Sequence, residues 1–204
     1  KEEDKDKVIV STLCLDVTQS DAGLLLSDHL LKGGGEGGEP ADAVVHNAGI
    51  TRDKTLASMP VGLWRQSSAV NAEAPLAIDA VLRESNVMSP GASIILLSST
   101  SGIAGNFGQC NYATAKSGLM GFARAASIAF PSYRYNVVAP GFIETEMTAK
   151  MPKSTYFVAS RMNNLSVAGE PIDVANAIAF LASKSASGVS GQVLRVCGGF
   201  MQGR

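Results

Sequence analysis

The sequence predicts an α/β protein: a doubly wound parallel sheet with helices on both faces. Short, β-rich apolar runs alternate with longer stretches of helical period, which is how strands joined by crossover helices read in sequence. The runs are apolar at nearly every residue, as expected of strands covered on both sides. A chain of 204 residues is long enough to bury a substantial core, and residues 1–204 read as one domain without internal repeats.

The expected strands are VIVSTLCLDV (8–17), DAVVHNAG (42–49), SIILLSS (93–99), YNVVAPG (135–141) and GQVLRVCGG (191–199). Between them the pattern predicts helices over 20–31, 60–85, 109–130 and 171–183, the last opening on Pro171 and Asp173, both favourable in a first turn. KGGGEGGEP (32–40) is the densest glycine cluster, yet it follows a helix and precedes a strand. A phosphate cradle needs the reverse order, so this segment reads as a linker.

Composition excludes several classes of partner. With 17 basic and 18 acidic side chains and a net charge of −1, no footprint for nucleic acid or an anionic membrane surface is present. Cys14, Cys110 and Cys197 are odd in number and widely spaced, which suggests a reducing compartment. No apolar run reaches the ~18 residues of a membrane span, and KEEDKDK is not followed by a segment of signal-peptide type. The expectation is a soluble, cytoplasmic protein with a small neutral or anionic ligand. His29 and His46 lack neighbouring ligands, so no metal site is expected; His29 reads as a solvated helical residue and His46 as a strand end.

QCNYATAKSG (109–118) carries the chemistry. Tyr112 and Lys116 stand one helical turn apart on one face, where a cation could favour ionisation of a phenol whose ordinary pKa is ~10. Alone, such a pair is common on solvated helices. Upstream, SIILLSSTSGIAG puts Ser98 and Ser99 where a strand's carboxyl end meets its loop, the edge at which open α/β sheets bind ligands. A serine hydroxyl aimed at a carbonyl oxygen would polarise it. Together the residues suit proton transfer coupled to a change at a carbonyl carbon.

The spacing of Ser99, Tyr112 and Lys116, with NAG (47–49), Asn71 and PGFIET (140–145), resembles the short-chain dehydrogenase/reductase family. Within it, NAGITRD, GNFGQCNYATAKSG and VVAPGFIETEMT look most like the bacterial-type 3-oxoacyl-[acyl-carrier-protein] reductases, and VLRVCGG like their high-molecular-weight members. The resemblance implies a Rossmann-like fold, NADPH or NADH as cofactor, an acyl thioester substrate on acyl carrier protein or CoA, and a homodimer or homotetramer. It implies that Tyr112 protonates the ketone oxygen, that Lys116 lowers the pKa of Tyr112 and binds the nicotinamide ribose, that Ser99 polarises the carbonyl, and that Asn71 positions a water beside Lys116. For the cofactor it implies Asp16 and Val17 beside the adenine, Asn47, Ala48 and Gly49 along the cofactor, and Pro140, Gly141, Ile143 and Thr145 around the nicotinamide. Thr145 could equally cap the following segment. EMTAKMPKSTYFVASRMNNL (146–165) resembles the family's mobile substrate lid.

The family's opening strand, its T-G-x-x-x-G-x-G turn and helix, and its second strand have no counterpart here. In the strand order 3-2-1-4-5-6 those strands separate VIVSTLCLDV from DAVVHNAG, which would leave the former without a sheet neighbour. The 204 residues are therefore expected to be an incomplete record of a longer chain, and the interval from Lys116 to Asn136, through AFPSYRYN, looks slightly short for the family, which would fit an internal gap. Besides reduction of 3-oxoacyl thioesters, two alternatives remain: a secondary-alcohol dehydrogenase or ketone reductase of another substrate, and a silent subunit lacking a complete cofactor site.

Overall fold

The structure, a computed structural model, describes residues 10–32, 38–145, 148 and 153–200. Four parallel strands form one sheet in the order β1-β2-β3-β4: β1 (Ala41–His46), β2 (Met88–Leu97), β3 (Arg134–Pro140) and β4 (Val193–Val196). Residues 93–97 of β2 pair with 134–138 of β3 in unbroken register. Toward β1 the register shifts between Ala41 and Ala43, so β2 begins at Met88, upstream of the expected 93.

Alternation along β2 builds two cores. Ile94 and Leu96 face a large cluster with Leu82, Leu119, Ala123, Tyr135 and Val137. Ile95 and Leu97 face the opposite way, into a smaller cluster with Val138, Leu181 and Ala186. Successive side chains of a strand point to opposite faces, so one apolar run serves both layers.

The helices follow the same logic. α1 (Ala22–Leu31) lies against the third helix. The expected helix over 60–85 forms in three parts: α2 (Val61–Ser68), a π-helical turn (Ala69–Glu73) and α3 (Ala74–Glu84). Pro75 explains the interruption. It offers no N–H to the carbonyl of Asn71, so the helix opens into a wider turn with Asn71 inside it. A short α4 (Thr100–Ala104) follows β2, and α5 (Cys110–Ala129) buries Ala115, Lys116, Leu119, Ala123 and Ala126 along a seam of helical period. α6 spans Lys153–Ala159. α7 (Pro171–Ala182) starts cleanly, with Pro171 in its first turn and the Glu170 backbone N–H donating to the Asp173 carboxylate at 2.8 Å.

One expectation is corrected. Within 8–17, the described residues 10–17 pair with no strand. Leu15 and Val17 still pack against the large core, but Val10 is 78% and Leu13 41% exposed, because no neighbouring strand supplies ladder hydrogen bonds or cover. Asp16 then starts a turn into α1: its carboxylate accepts from the Thr18 backbone N–H at 2.9 Å and the Thr18 hydroxyl at 2.7 Å. Residues 33–37 of the glycine-rich linker and residues 146, 147 and 149–152 of the expected lid lie outside the described residues.

Candidate active site

The carboxyl ends of β1, β2 and β3 open into a cavity of about 710 Å³. Asn47 and Gly49 follow β1, Ser98 and Ser99 follow β2, Pro140 ends β3, and Gly141, Ile143 and Thr145 come after it; Tyr112 and Lys116 face them from α5. Val174 and Ile178 of α7 close the apolar side. A second cavity of about 510 Å³ shares Thr51, Ser99, Gly141, Phe142 and Thr148 with the first and adds Asp53, Gln109, Met162 and Phe200. Ser99 therefore stands on the wall between the two.

Ser99 caps α4: its Oγ accepts the Ser101 backbone N–H at 3.1 Å, which occupies one lone pair and leaves the hydroxyl proton to point away from the helix. The same hydroxyl hydrogen-bonds the Tyr112 phenol. Lys116 is 3% exposed, and its Nζ donates to the Leu97 carbonyl at 2.6 Å. Its backbone is fixed too, since the Ser98 hydroxyl donates to the Lys116 carbonyl at 2.7 Å. Burial lowers the ammonium pKa to about 8, which still leaves it mostly charged at neutral pH.

The Tyr112 phenol answers chiefly to its burial. Burial pushes the phenol above its ordinary value, the Ser99 hydrogen bond pulls it down, and the negative charge of Asp53 raises it again. The Lys116 ammonium sits 5.7 Å from the Tyr112 ring centre, where it donates to the Leu97 carbonyl. At neutral pH Tyr112 is thus a protonated donor, the state that an acid in a reduction needs.

Asn71 lies behind the cavity wall, fully buried. Its Oδ1 accepts the Ile50 N–H at 3.1 Å, while its Nδ2 donates to the Ile50 carbonyl at 2.8 Å and the Ser67 carbonyl at 2.9 Å. The amide is used to pin the NAG turn to the π-helical segment. A Cβ on Gly49 would stand 3.0 Å from Asn71 Oδ1 and 3.4 Å from Lys116 Nζ, so the absent side chain lets Asn71 and Lys116 converge beneath the turn.

The adenine-side residues divide. Val17 and Ala48 share a small cavity of about 140 Å³ with His46 and Asn47. Asp16 lines none of these three cavities; its carboxylate is spent on Thr18, and it does not join the other expected site residues. Gly141 makes a close backbone packing, with its N–H on the Val196 carbonyl and a Cβ there 2.8 Å from Cys197. Thr145 has both expected features: it lines the main cavity, and its hydroxyl accepts the Thr148 N–H at 3.4 Å.

Sequence reasoning passed over Asn111, Asp53 and Gln109. Asn111 is completely buried; it donates to the Arg52 carbonyl at 2.9 Å and accepts the Tyr112 N–H at 2.8 Å, joining the post-β1 loop to the base of α5. An amide in a first turn among small residues was the available signal.

Tyrosine and lysine beside a strand-end serine, at the carboxyl edge of a parallel sheet, define a class: α/β proteins with a ligand cavity at the strand termini and a proton donor on an adjacent helix. Residues 2–201 match the family described as Enoyl-(Acyl carrier protein) reductase. The 3-oxoacyl-[acyl-carrier-protein] reductase FabG of Thermotoga maritima is 40% identical over 162 residues, covering 78% of this chain and 66% of that protein. The (3R)-3-hydroxyacyl-CoA dehydrogenase of Mus musculus is 39% identical over 163 residues, covering 78% of this chain and 63% of the relative. A crystal structure from Brucella melitensis, of a short-chain dehydrogenase/reductase named as a glucose/ribitol dehydrogenase, superposes with a TM-score of 0.86 at 27% identity, over 93% of this chain and 75% of that one. The chain belongs to the short-chain dehydrogenase/reductase family. Its alignments span just under two thirds of the length of these two curated relatives.

Proposed function

We propose that this protein reduces 3-oxoacyl thioesters, carried on acyl carrier protein or CoA, to 3-hydroxyacyl thioesters with NADPH or NADH, in fatty-acid synthesis. The observation that carries the reading is the convergence of Ser99, Tyr112 and Lys116 on one cavity at the strand ends. The names of the 3-oxoacyl reductase and 3-hydroxyacyl-CoA dehydrogenase relatives support the substrate class.

The residues present fit the nicotinamide half of the cofactor. Lys116 is a buried ammonium with three donors, and the Leu97 carbonyl takes one of them, leaving N–H groups that a ribose diol could satisfy. Pro140, Ile143, Val174 and Ile178 give the same cavity an apolar wall for a flat ring. When bound, the nicotinamide supplies a hydride to the carbonyl carbon. Tyr112 gives its phenolic proton to the carbonyl oxygen as negative charge develops there. The Ser99 hydroxyl, oriented by its cap bond to Ser101, holds that oxygen. Lys116, charged near neutral pH, stabilises the phenolate left behind.

A homodimer or homotetramer in the cytoplasm accompanies this reading. Among the described residues no helix is long and apolar enough to cross a membrane. The test mixes the protein with acetoacetyl-CoA and NADPH or NADH and follows nicotinamide absorbance. We expect Tyr112→Phe to lower kcat by at least ~100-fold, the lower end of what a positioned acid contributes. Undiminished turnover in that variant rejects Tyr112 as the donor. A second reading, a dehydrogenase of another secondary alcohol, is favoured by the likeness to the Brucella melitensis protein named as a glucose/ribitol dehydrogenase, and turnover of simple ketones or polyols without acetoacetyl-CoA would select it.

A further inference from the structure

The second cavity carries a carboxylate that no cation pairs with among the described residues. Of the side chains lining it there, only Asp53 ionises. Lys116 lines the main cavity, across the wall that Ser99 forms, so the two charges serve different spaces. Arg52 and Lys54 flank Asp53 in sequence, yet the ion pairs among the described residues are Lys32–Asp28 and Arg83–Asp79. The Arg52 guanidinium is occupied elsewhere, donating to Gln66 Oε1 at 2.8 Å and to the Thr51 carbonyl at 2.9 Å.

The carboxylate is also held in place. Gln109 Nε2 donates to its Oδ2 at 3.0 Å. On either side, the Arg52 carbonyl accepts from Asn111 Nδ2 at 2.9 Å and the Lys54 N–H donates to the Gly108 carbonyl at 2.8 Å, which ties the backbone around Asp53 to α5 and to the loop before it. The charge is felt at Tyr112, whose pKa is raised first by burial and then by Asp53. A fixed charge that reaches the proton donor also reaches the ligand that the donor serves. Like charges in a cleft with low-dielectric walls repel more than they do in bulk water. The apolar part of this wall, Phe142, Ala159, Met162 and Phe200, offers an anion nothing in compensation.

Resting on the reductase reading above, we propose that Asp53 is a charge filter: its carboxylate turns away 3-oxo acids in their free, anionic form and lets neutral 3-oxoacyl thioesters enter. The two kinds of molecule share the ketone. They differ beside it, where the free acid carries a carboxylate and the thioester an uncharged carbonyl. The filter acts by repulsion, so it needs no contact with the substrate it admits. The phosphates of a CoA or carrier thioester lie at the far end of the pantetheine arm, past the ~10 Å over which such a charge survives screening by salt.

The experiment compares methyl acetoacetate with acetoacetate, which share the ketone and nearly the same size and differ by one charge. Asp53→Asn removes the charge and keeps an acceptor for Gln109. We expect kcat/KM on acetoacetate to rise about tenfold in that variant at low ionic strength, with the methyl ester within about twofold of wild type. The ester rate holds because burial alone keeps Tyr112 protonated at neutral pH. Added salt should improve acetoacetate turnover in wild type and leave Asp53→Asn unaffected, and Asp53→Glu, which keeps the charge, should keep the exclusion. An unchanged acetoacetate rate in Asp53→Asn, equal gains on both probes, or a salt effect of equal size in both proteins overturns the proposal. Binding separates it from the reductase reading: both probes are titrated into wild type and Asp53→Asn by ligand-observed NMR. If wild type reduces neither probe, the reductase reading fails, and the titrations still decide for the filter by about tenfold tighter acetoacetate binding in Asp53→Asn or against it by no gain.

Discussion

His46 shows how a single residue can carry a pH limit. It ends β1, and its Nε2 is completely covered and without a hydrogen-bond partner, beside a cavity walled by Leu15, Val17, Leu26, Val70, Ala74, Pro75 and Ile78. None of those side chains can ionise, so nothing offsets a charge placed there, and burial lowers the pKa from 6.5 to about 4. The unfolded chain therefore binds the proton more tightly than the folded one. The stability contributed by neutral His46 is complete above pH ~6.5 and is lost as the pH falls toward 4, up to about 3 kcal/mol across that window. We expect urea midpoints at pH 7 and pH 4.5 to differ more in wild type than in His46→Asn. Equal differences in the two proteins would show that His46 does not bear the proton load.

Among elements, the packing of α4 on α5 sets the position of Lys116. A Cβ on Gly102 would stand 2.9 Å from the Lys116 carbonyl carbon and 3.0 Å from the Ser117 backbone nitrogen, so the two helices touch at a distance only glycine allows. Gly102→Ala gains helix propensity of up to about 1 kcal/mol but must move backbone, and overpacking of this kind costs about 1–3 kcal/mol. The expected result is a lower melting temperature together with a reduced kcat, because the displaced segment contains Lys116; a rise in melting temperature with kcat intact would contradict it. Helices this short leave little trace in sequence: α4 has five residues and no amphipathic repeat, so its pattern does not announce it. The long α5 and the strands β2 and β3 were legible because apolar runs and helical period are local properties. Residues 8–17 misled for a related reason, since a strand needs partners, which composition does not reveal. The site was legible in the same proportion. Tyr112 and Lys116 sit one turn apart and Ser99 ends a visible strand, whereas Asp53 and Gln109 are 56 positions apart and meet only through folding.

At the scale of the molecule, the two layers on the sheet have different consequences for the site. The large cluster, under α1, α3 and α5, holds most of the buried apolar side chains and lies behind the strands. The smaller cluster, under α7, is continuous with the site, because Val174 and Ile178 pack against it and also line the main cavity. Leu181 and Leu82 are almost completely buried, on opposite layers. Truncating either to alanine removes the same atoms and is expected to cost about 2–5 kcal/mol of stability. The functional effects should differ. Leu181→Ala loosens α7 and with it one wall of the cavity, so we expect nicotinamide nucleotide to bind several-fold more weakly in fluorescence titration under conditions where the variant remains folded. Leu82→Ala, destabilised by a similar amount, should keep wild-type affinity. Equal affinities in the two variants would mean that the α7 wall is held by its cap and loops alone, and that the smaller core supports the fold without shaping the site.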